Sequence, residues 1–362
     1  MKSKMEIMWT HSARSLIFGF SMTLALVGCS GGEKQAESTT GTSAGTASTG
    51  SGSEGTPKKD KLKITVIAKS NNNPVFQSAR VGAESAAKEL SESTKCAITI
   101  DWRTPDTEDG QVQAQRIAQA VNEGTDAILI SCSDASKVKG AIDEAVDKGV
   151  PVMTFDSDAP DSKRFAFYGA DDAECGKQVL DELAKLNGGK GNIAILAGNQ
   201  NAPNLQKRVQ GVKDAAKAFP NIKIVDTFYH VESPQDATSA VMNAMNANPQ
   251  IDGWAMIGGW PLFAPSLLKD LDPAKVKIVA VDALPAELPY VDRGLAPVLL
   301  AQPTYNWGYK SVGIIVDKLV LGKEVQAINK MDLQRVSKEN LKEWAKQLKD
   351  WGFTDVDPKF LQ

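Results

Sequence analysis

Histidine is almost missing from this chain: 362 residues hold only His11 and His230, with four cysteines. His11 falls in an apolar leader, so a single imidazole is left for the folded body. Histidine-ligated zinc and Ser-His-Asp chemistry are therefore thinly supplied, and no CxxC pair occurs. Charge of one sign is lacking too. Lys and Arg number 41 against 44 Asp and Glu, a formal net charge of −3. That balance removes the electrostatic case for binding nucleic acid or an anionic membrane surface. No phosphate loop follows a strand: "NGGKGNIAIL" carries its glycines on the wrong side, and "GNQNAPN" lacks the GxGxxG spacing. "PDTEDGQ" lacks the alternating ligands and distal Glu of a calcium loop. With no assembled catalytic set, the expectation is a protein that is not an enzyme and needs no cofactor or metal.

What is present begins with a leader. Lys2, Lys4 and Arg14 precede "SLIFGFSMTLALVG", a run too short to cross a bilayer comfortably, and the pattern predicts a secretory signal over residues 1–28. It closes on "LVGC", Leu26 to Cys29, which resembles a bacterial lipobox. The resemblance implies cleavage before Cys29 and lipid on its sulfur, placing the protein on the periplasmic or extracellular face. Residues 29–59 are dominated by Gly, Ser and Thr. They bury too little to offset their ordering entropy and read as a flexible tether with a span of about 30 Å. Cys96, Cys132 and Cys175 remain, an odd number. Two of them could pair, or all could be buried thiols; spacing does not decide.

From Lys61 the pattern alternates. "KITVIA", "CAITIDW", "DAILIS", "VPVMTF", "GNIAILAG", "IKIVDTFY", "DGWAMIGG", "KVKIVAVD" and "APVLLAQ" are strand candidates separated by segments of helical period. Such alternation predicts parallel sheets covered by helices on both faces. "DAILISCSD", a helix and "GVPVMTFDSD" are echoed by "DGWAMIGGW", a predicted helix and "VKIVAVDAL". Asp126 to Asp156 and Asp252 to Asp282 are each separated by about 30 residues, the size of a βαβ unit. The repeat predicts two similarly wound lobes, each ending a strand in an aspartate. Ligands of open parallel sheets bind beyond the carboxyl ends of the strands. Asp156 and Asp282 would then face one cleft as catalytic carboxylates, metal ligands or acceptors for hydroxyl groups.

These residues resemble the periplasmic sugar-binding protein family of the ribose-binding type, the receptors of ABC importers. "SNNNPVF" is similar to that family's Asn-Asn-Pro-aromatic-aromatic signature, with Asn73 and Phe76 facing the ligand. Asp156, Asp282 and Gln302 match its strand-end aspartates and the glutamine beside the last crossover. The resemblance implies a type I periplasmic binding protein fold, two doubly wound α/β lobes joined by a three-strand hinge. The first lobe would hold residues 60–169 and 303–329, the second 170–302 and 330–362. Crossovers are expected near Gly169–Ala170, Gln302–Pro303 and Asn329. Departures from the ribose pattern are Ser157 and Gln206 where arginines stand, Ser131 and Gly258 where asparagines stand, and Val75 for one aromatic. Arg208 and Trp260 lie beside these changes, and Arg103 is a candidate for the missing cation. Implied partners are a sugar or polyol, an ABC permease and a chemoreceptor. The membrane is reached only through the lipid, nucleic acid is not expected, and the chain is expected to act as a monomer.

Other readings coexist: a receptor for a sugar-like signal without transport, a cleft hydrolase, or a sensor of the lactose-repressor kind, which the lipobox contradicts. Asp158 reads as a loop residue, and Trp254 as packing. Trp344 and Trp351 read as the stripe of a terminal helix. Tyr229, His230 and Glu232 border the expected cleft without being assigned to it.

Overall fold

The structure, a computed structural model, describes residues 59–362. The leader, Cys29 and most of the tether lie outside the described residues. The first sheet is begun by β1 (Lys61–Ile67), followed by α1 (Pro74–Thr94), β2 (Ala97–Trp102), α2 (Gly110–Asn122), β3 (Ala127–Ile130), α3 (Ala135–Asp147), β4 (Val152–Phe155) and β5 (Ala166–Gly169). The chain then passes to a second sheet. There it forms α4 (Asp172–Leu186), β6 (Lys190–Gly198), α5 (Pro203–Ala216), β7 (Asn221–Tyr229), α6 (Pro234–Ala247), β8 (Gly253–Met256), β9 (Lys277–Val281), α7 (Leu288–Asp292) and β10 (Val298–Ala301). It returns for α8 (Tyr305–Leu319) and β11 (Ile328–Lys330), and ends in the second lobe with β12 (Gln334–Ser337) and α9 (Leu341–Asp350).

The sheet orders are β11-β5-β4-β3-β1-β2 and β12-β10-β9-β8-β6-β7. Their inner strands fill matching places in chain order, so the two lobes are wound alike. All pairings are parallel except the antiparallel edge pair β10–β12. Inner strands such as "AILI" and "VMTF" are buried along their whole length, as a sheet covered on both faces requires. Asn329 sits inside β11, opposite Tyr168, so the third crossing falls after Lys330. The helix expected between β8 and β9 does not form. Pro261, Pro265 and Pro273 interrupt that stretch by removing donors and clashing with the preceding turn. Only a 3-10 turn, Trp260–Leu262, survives. Cys96, Cys132 and Cys175 are buried free thiols in three separate apolar clusters, so none can reach another.

One helix pair in each lobe is notched by glycine. A Cβ at Gly82 would collide with the Tyr305 carbonyl and one at Gly308 with the Ala79 carbonyl, locking α1 onto α8. In the second lobe a Cβ at Gly176 would strike the Arg208 carbonyl, and one at Gly211 that of Ala173, locking α4 onto α5. Backbone atoms cannot yield as a flexible side chain can. Gly176→Ala is therefore expected to cost about 1–3 kcal/mol of stability through overpacking. A urea unfolding midpoint unchanged from the parent protein would contradict it.

Candidate functional site

Asp156 directly follows β4 and Asp282 directly follows β9. Both take left-handed backbone, with φ of 55° and 80°. Each backbone N–H still donates to the neighbouring strand, Asp156 to the Tyr168 carbonyl and Asp282 to that of Leu300, both at 3.0 Å. The strand stays paired while the side chain leaves the strand's alternation. That conformation costs roughly 1–2 kcal/mol for an L-residue and suits Asp better than most. In both lobes it delivers a carboxylate to the carboxyl end of the sheet, where the lobes meet.

Asp156 accepts from Ser131 Oγ at 2.7 Å and from Asn204 Nδ2, across the cleft, at 3.1 Å. Asp282 accepts from Gln302 Nε2 at 2.9 Å and from the Gly259 N–H at 3.5 Å. Arg208 joins the two sets. Its Nη2 donates to Gln302 Oε1 at 2.9 Å and lies 4.0 Å from Asp156, Nε donates to Asp172 at 2.9 Å, and Nη1 to the Ile257 carbonyl at 3.2 Å. Asn204 and Arg208 are one helical turn apart on α5 and so share a face. Burial pushes the carboxyls of Asp156 and Asp282 upward. Lys69 and Arg208 oppose this at Asp156, while the Gln302 hydrogen bond and Arg208 oppose it at Asp282. Asp172 is pushed up to about 6 by burial, with the Arg208 charge holding it back.

Three more charged groups close one end of the cleft. Lys69, just beyond β1, lies 3.2 Å from Glu108 of the first lobe and 3.4 Å from Glu232 of the second. The apolar walls are Phe76, stacked on Trp307 with centroids 5.8 Å apart, and Trp260, whose ring covers Gly258. A Cβ at Gly258 would overlap that ring, so glycine there is a condition of the tryptophan's position. These groups enclose a cavity of about 20 Å³, and beyond Glu108 and Glu232 an outer cavity of about 570 Å³ opens between the lobes.

Of the residues expected from sequence, Asn73, Phe76, Asp156, Arg208, Gly258, Trp260, Asp282 and Gln302 line this one inner cavity. Ser131 stands behind it, holding Asp156. Three expectations are corrected. Arg103 is drawn away by Asp101 at 2.7 Å and Glu123 at 2.5 Å on the flank of the first lobe. Gln206, on α5, points outward and donates to the Gln200 carbonyl of the loop before that helix. Ser157 is fully buried and does not line the inner cavity; its backbone carbonyl accepts from the Cys132 N–H. Lys69, Asn204, Glu108 and Glu232 were not read as site residues. Asn204 was legible, four positions before Arg208 on a helix that opens at a strand end. Lys69 too was legible as a charge ending an apolar strand. Glu108 carries no local signal, because a loop brings it there, and Glu232 was legible only as bordering the cleft. Asp158, as expected, is a loop residue, paired to Arg164 at 2.6 Å. Trp254 is fully buried, and Trp344 packs edge-on against Trp351.

Comparison with known proteins agrees with this architecture. The family described as periplasmic binding protein domain matches residues 64–324. The xylitol-binding protein of Mycolicibacterium smegmatis is 26% identical over 67% of this chain and 70% of its own length. The ribose import binding protein of Bacillus subtilis is 27% identical over 44% of this chain and half of its own length. Among solved structures, a solute-binding protein of Burkholderia graminis in complex with D-arabinose superposes with a TM-score of 0.71 at 26% identity, covering 79% of this chain and 98% of that one. XylFII superposes with a TM-score of 0.70 at 30% identity, covering 77% and 99%.

Arg208 supplies the buried counter-charge for Asp172 and a contact for Asp156. Arg208→Leu is expected to destabilise the protein by about 3–5 kcal/mol, the cost of an orphaned buried charge. Adding Asp172→Asn should recover part of that loss in the same unfolding measurement, whereas additive losses would show that the pair is not coupled.

Proposed function

The chain belongs to the periplasmic binding protein domain family, and from that premise we propose that it captures an uncharged sugar or polyol between its lobes and delivers it to an ABC importer. The observation that carries this reading is the pair of strand-end aspartates, one per lobe, joined through Gln302 and Arg208. Carboxylates accept hydroxyl protons, amides both donate and accept, and the faces of Phe76 and Trp260 suit C–H surfaces. The relatives are binding proteins, named for xylitol, D-apiose and ribose, and no step of bond breaking is asked of Asp156 or Asp282.

Charge narrows the ligand further. Five carboxyls, on Asp156, Asp172, Asp282, Glu108 and Glu232, surround two cations, Lys69 and Arg208, and both cations are already engaged with them. Among the described residues of the site, no free cation remains for a phosphate or a sugar acid. Contact with both lobes gives the ligand differential affinity for the closed arrangement, which a permease would recognise. Leader removal, lipid on Cys29 and a slack tether would hold the receptor beside its permease on the outer side of the membrane. A second reading is docking of the bound state onto a partner protein other than a permease. The solved XylFII-LytSN complex, 30% identical to this chain with a TM-score of 0.70, favours it.

Thermal-shift screening tests the ligand class. Pentoses, hexoses or pentitols should raise the melting temperature, while the corresponding sugar phosphates should leave it unchanged. Stabilisation by phosphates alone would reverse the charge argument. Asp156→Asn and Asp282→Asn keep a residue that tolerates left-handed backbone. Each should weaken calorimetric affinity tenfold or more, from loss of a charged hydrogen bond contributing about 1.5–3 kcal/mol. Parental affinity in both variants would remove the aspartates from the site.

A further inference from the structure

We propose that Lys69, Glu108 and Glu232 form a clasp across the cleft mouth that takes up one proton from solvent each time the lobes close. This rests on the reading of a closing cleft and not on which ligand fills it. Lys69 and Glu108 belong to the first lobe and Glu232 to the second, so the cluster exists only while the lobes touch. All three side chains are at most 12% exposed. Asn199, also of the second lobe, donates its backbone N–H to Glu232 at 3.3 Å and its side-chain amide to Glu108 at 3.4 Å.

Two buried carboxylates facing one ammonium leave an uncompensated negative charge. With both carboxyls within 3.4 Å of the single Lys69 ammonium and little exposed, a second negative charge is disfavoured and one of them gains a proton. Lys69 is held charged: burial disfavours the ammonium, and Glu108, Glu232 and Asp156 more than offset it. Glu232 is held ionised, burial being outweighed by Lys69 and by the Asn199 backbone N–H. Glu108 therefore carries the proton, raised from 4.5 to about 8 by burial and by the Glu232 charge. The other charged groups facing the cluster are Asp156 at the end of β4 and His230 beyond β7. Arg208 is engaged with Asp172 and Asp156. His230 is pushed below its ordinary value by burial.

The sign follows directly. Apart, Glu108 is an ordinary carboxylate; together, it is an acid with a raised pKa. Closure is fully favoured below the open-state value and weakens as pH rises through about 8. Across that window the closed population, and any affinity that depends on it, should fall by up to about tenfold per pH unit.

The test places spin labels at Lys88→Cys in α1 and Lys213→Cys in α5, exposed positions on opposite lobes, in the full chain carrying Cys29→Ser. Its remaining cysteines are buried. The short-distance population should grow as pH is lowered from about 8.5 to about 6. In Glu108→Gln it should be high and flat, and Glu232→Gln should also abolish the pH dependence. Distances that ignore pH, or that respond equally in Glu108→Gln, overturn the proposal. In parallel, xylitol, D-ribose and D-arabinose are titrated by calorimetry in buffers of different ionisation heat. A probe that binds with one proton taken up supports the clasp, and one that binds with none overturns it. If no probe binds, the sugar reading loses its support, and the label distances alone decide the clasp.

Discussion

The site depends on two left-handed backbone turns, at Asp156 and Asp282. A strand that continued in extended conformation would send the next side chain along its own alternation, into one face of the sheet or the other. Reversing φ while keeping the backbone N–H paired to the neighbouring strand turns the carboxylate toward the opposite lobe instead. Aspartate tolerates that conformation better than most side chains and supplies the acceptor that a hydroxyl needs, so one residue type meets both demands. Strain of this kind collects at functional sites, and here it occurs at matching places in both lobes.

Holding those carboxylates near each other raises an electrostatic problem, because each is buried and like-charged. Arg208 answers it by touching Asp172, Gln302 and Asp156 at once. Its own position is set by the close approach of α4 and α5, which Gly176 and Gly211 permit. Packing and electrostatics are therefore one constraint in the second lobe: glycines bring the helices together, and the contact aims the guanidinium. The first lobe uses the same device in α1 and α8, where it seats Phe76 against Trp307 beneath Asn73.

The same surplus of acid shapes what the cleft can accept. Lys69 and Arg208 are both consumed by neighbouring carboxylates, so the described residues of the pocket offer acceptors and amides and leave no cation among them for an anion. At the mouth the surplus is relieved in another way, through a proton taken up by Glu108. Ligand charge and closure are thus governed by one local imbalance.

Period and strand-end chemistry in the sequence alone determined the two-lobed parallel α/β architecture and the paired strand-end aspartates, because each follows from its own short stretch of chain; Asn73, Phe76, Trp260 and Gln302, picked out by the family resemblance, line the same cavity. Proline positions also carried the missing helix between β8 and β9, although the repeat pattern spoke against it. Only the tertiary structure decided which cations serve the cleft. Arg103 was taken by Asp101 and Glu123, which lie beside it in space, while Lys69 and Arg208 were brought in from distant segments. Glu108 and Glu232 meet only when the lobes do. Pairing of charges is a property of distance in space, to which a chain read in order is blind.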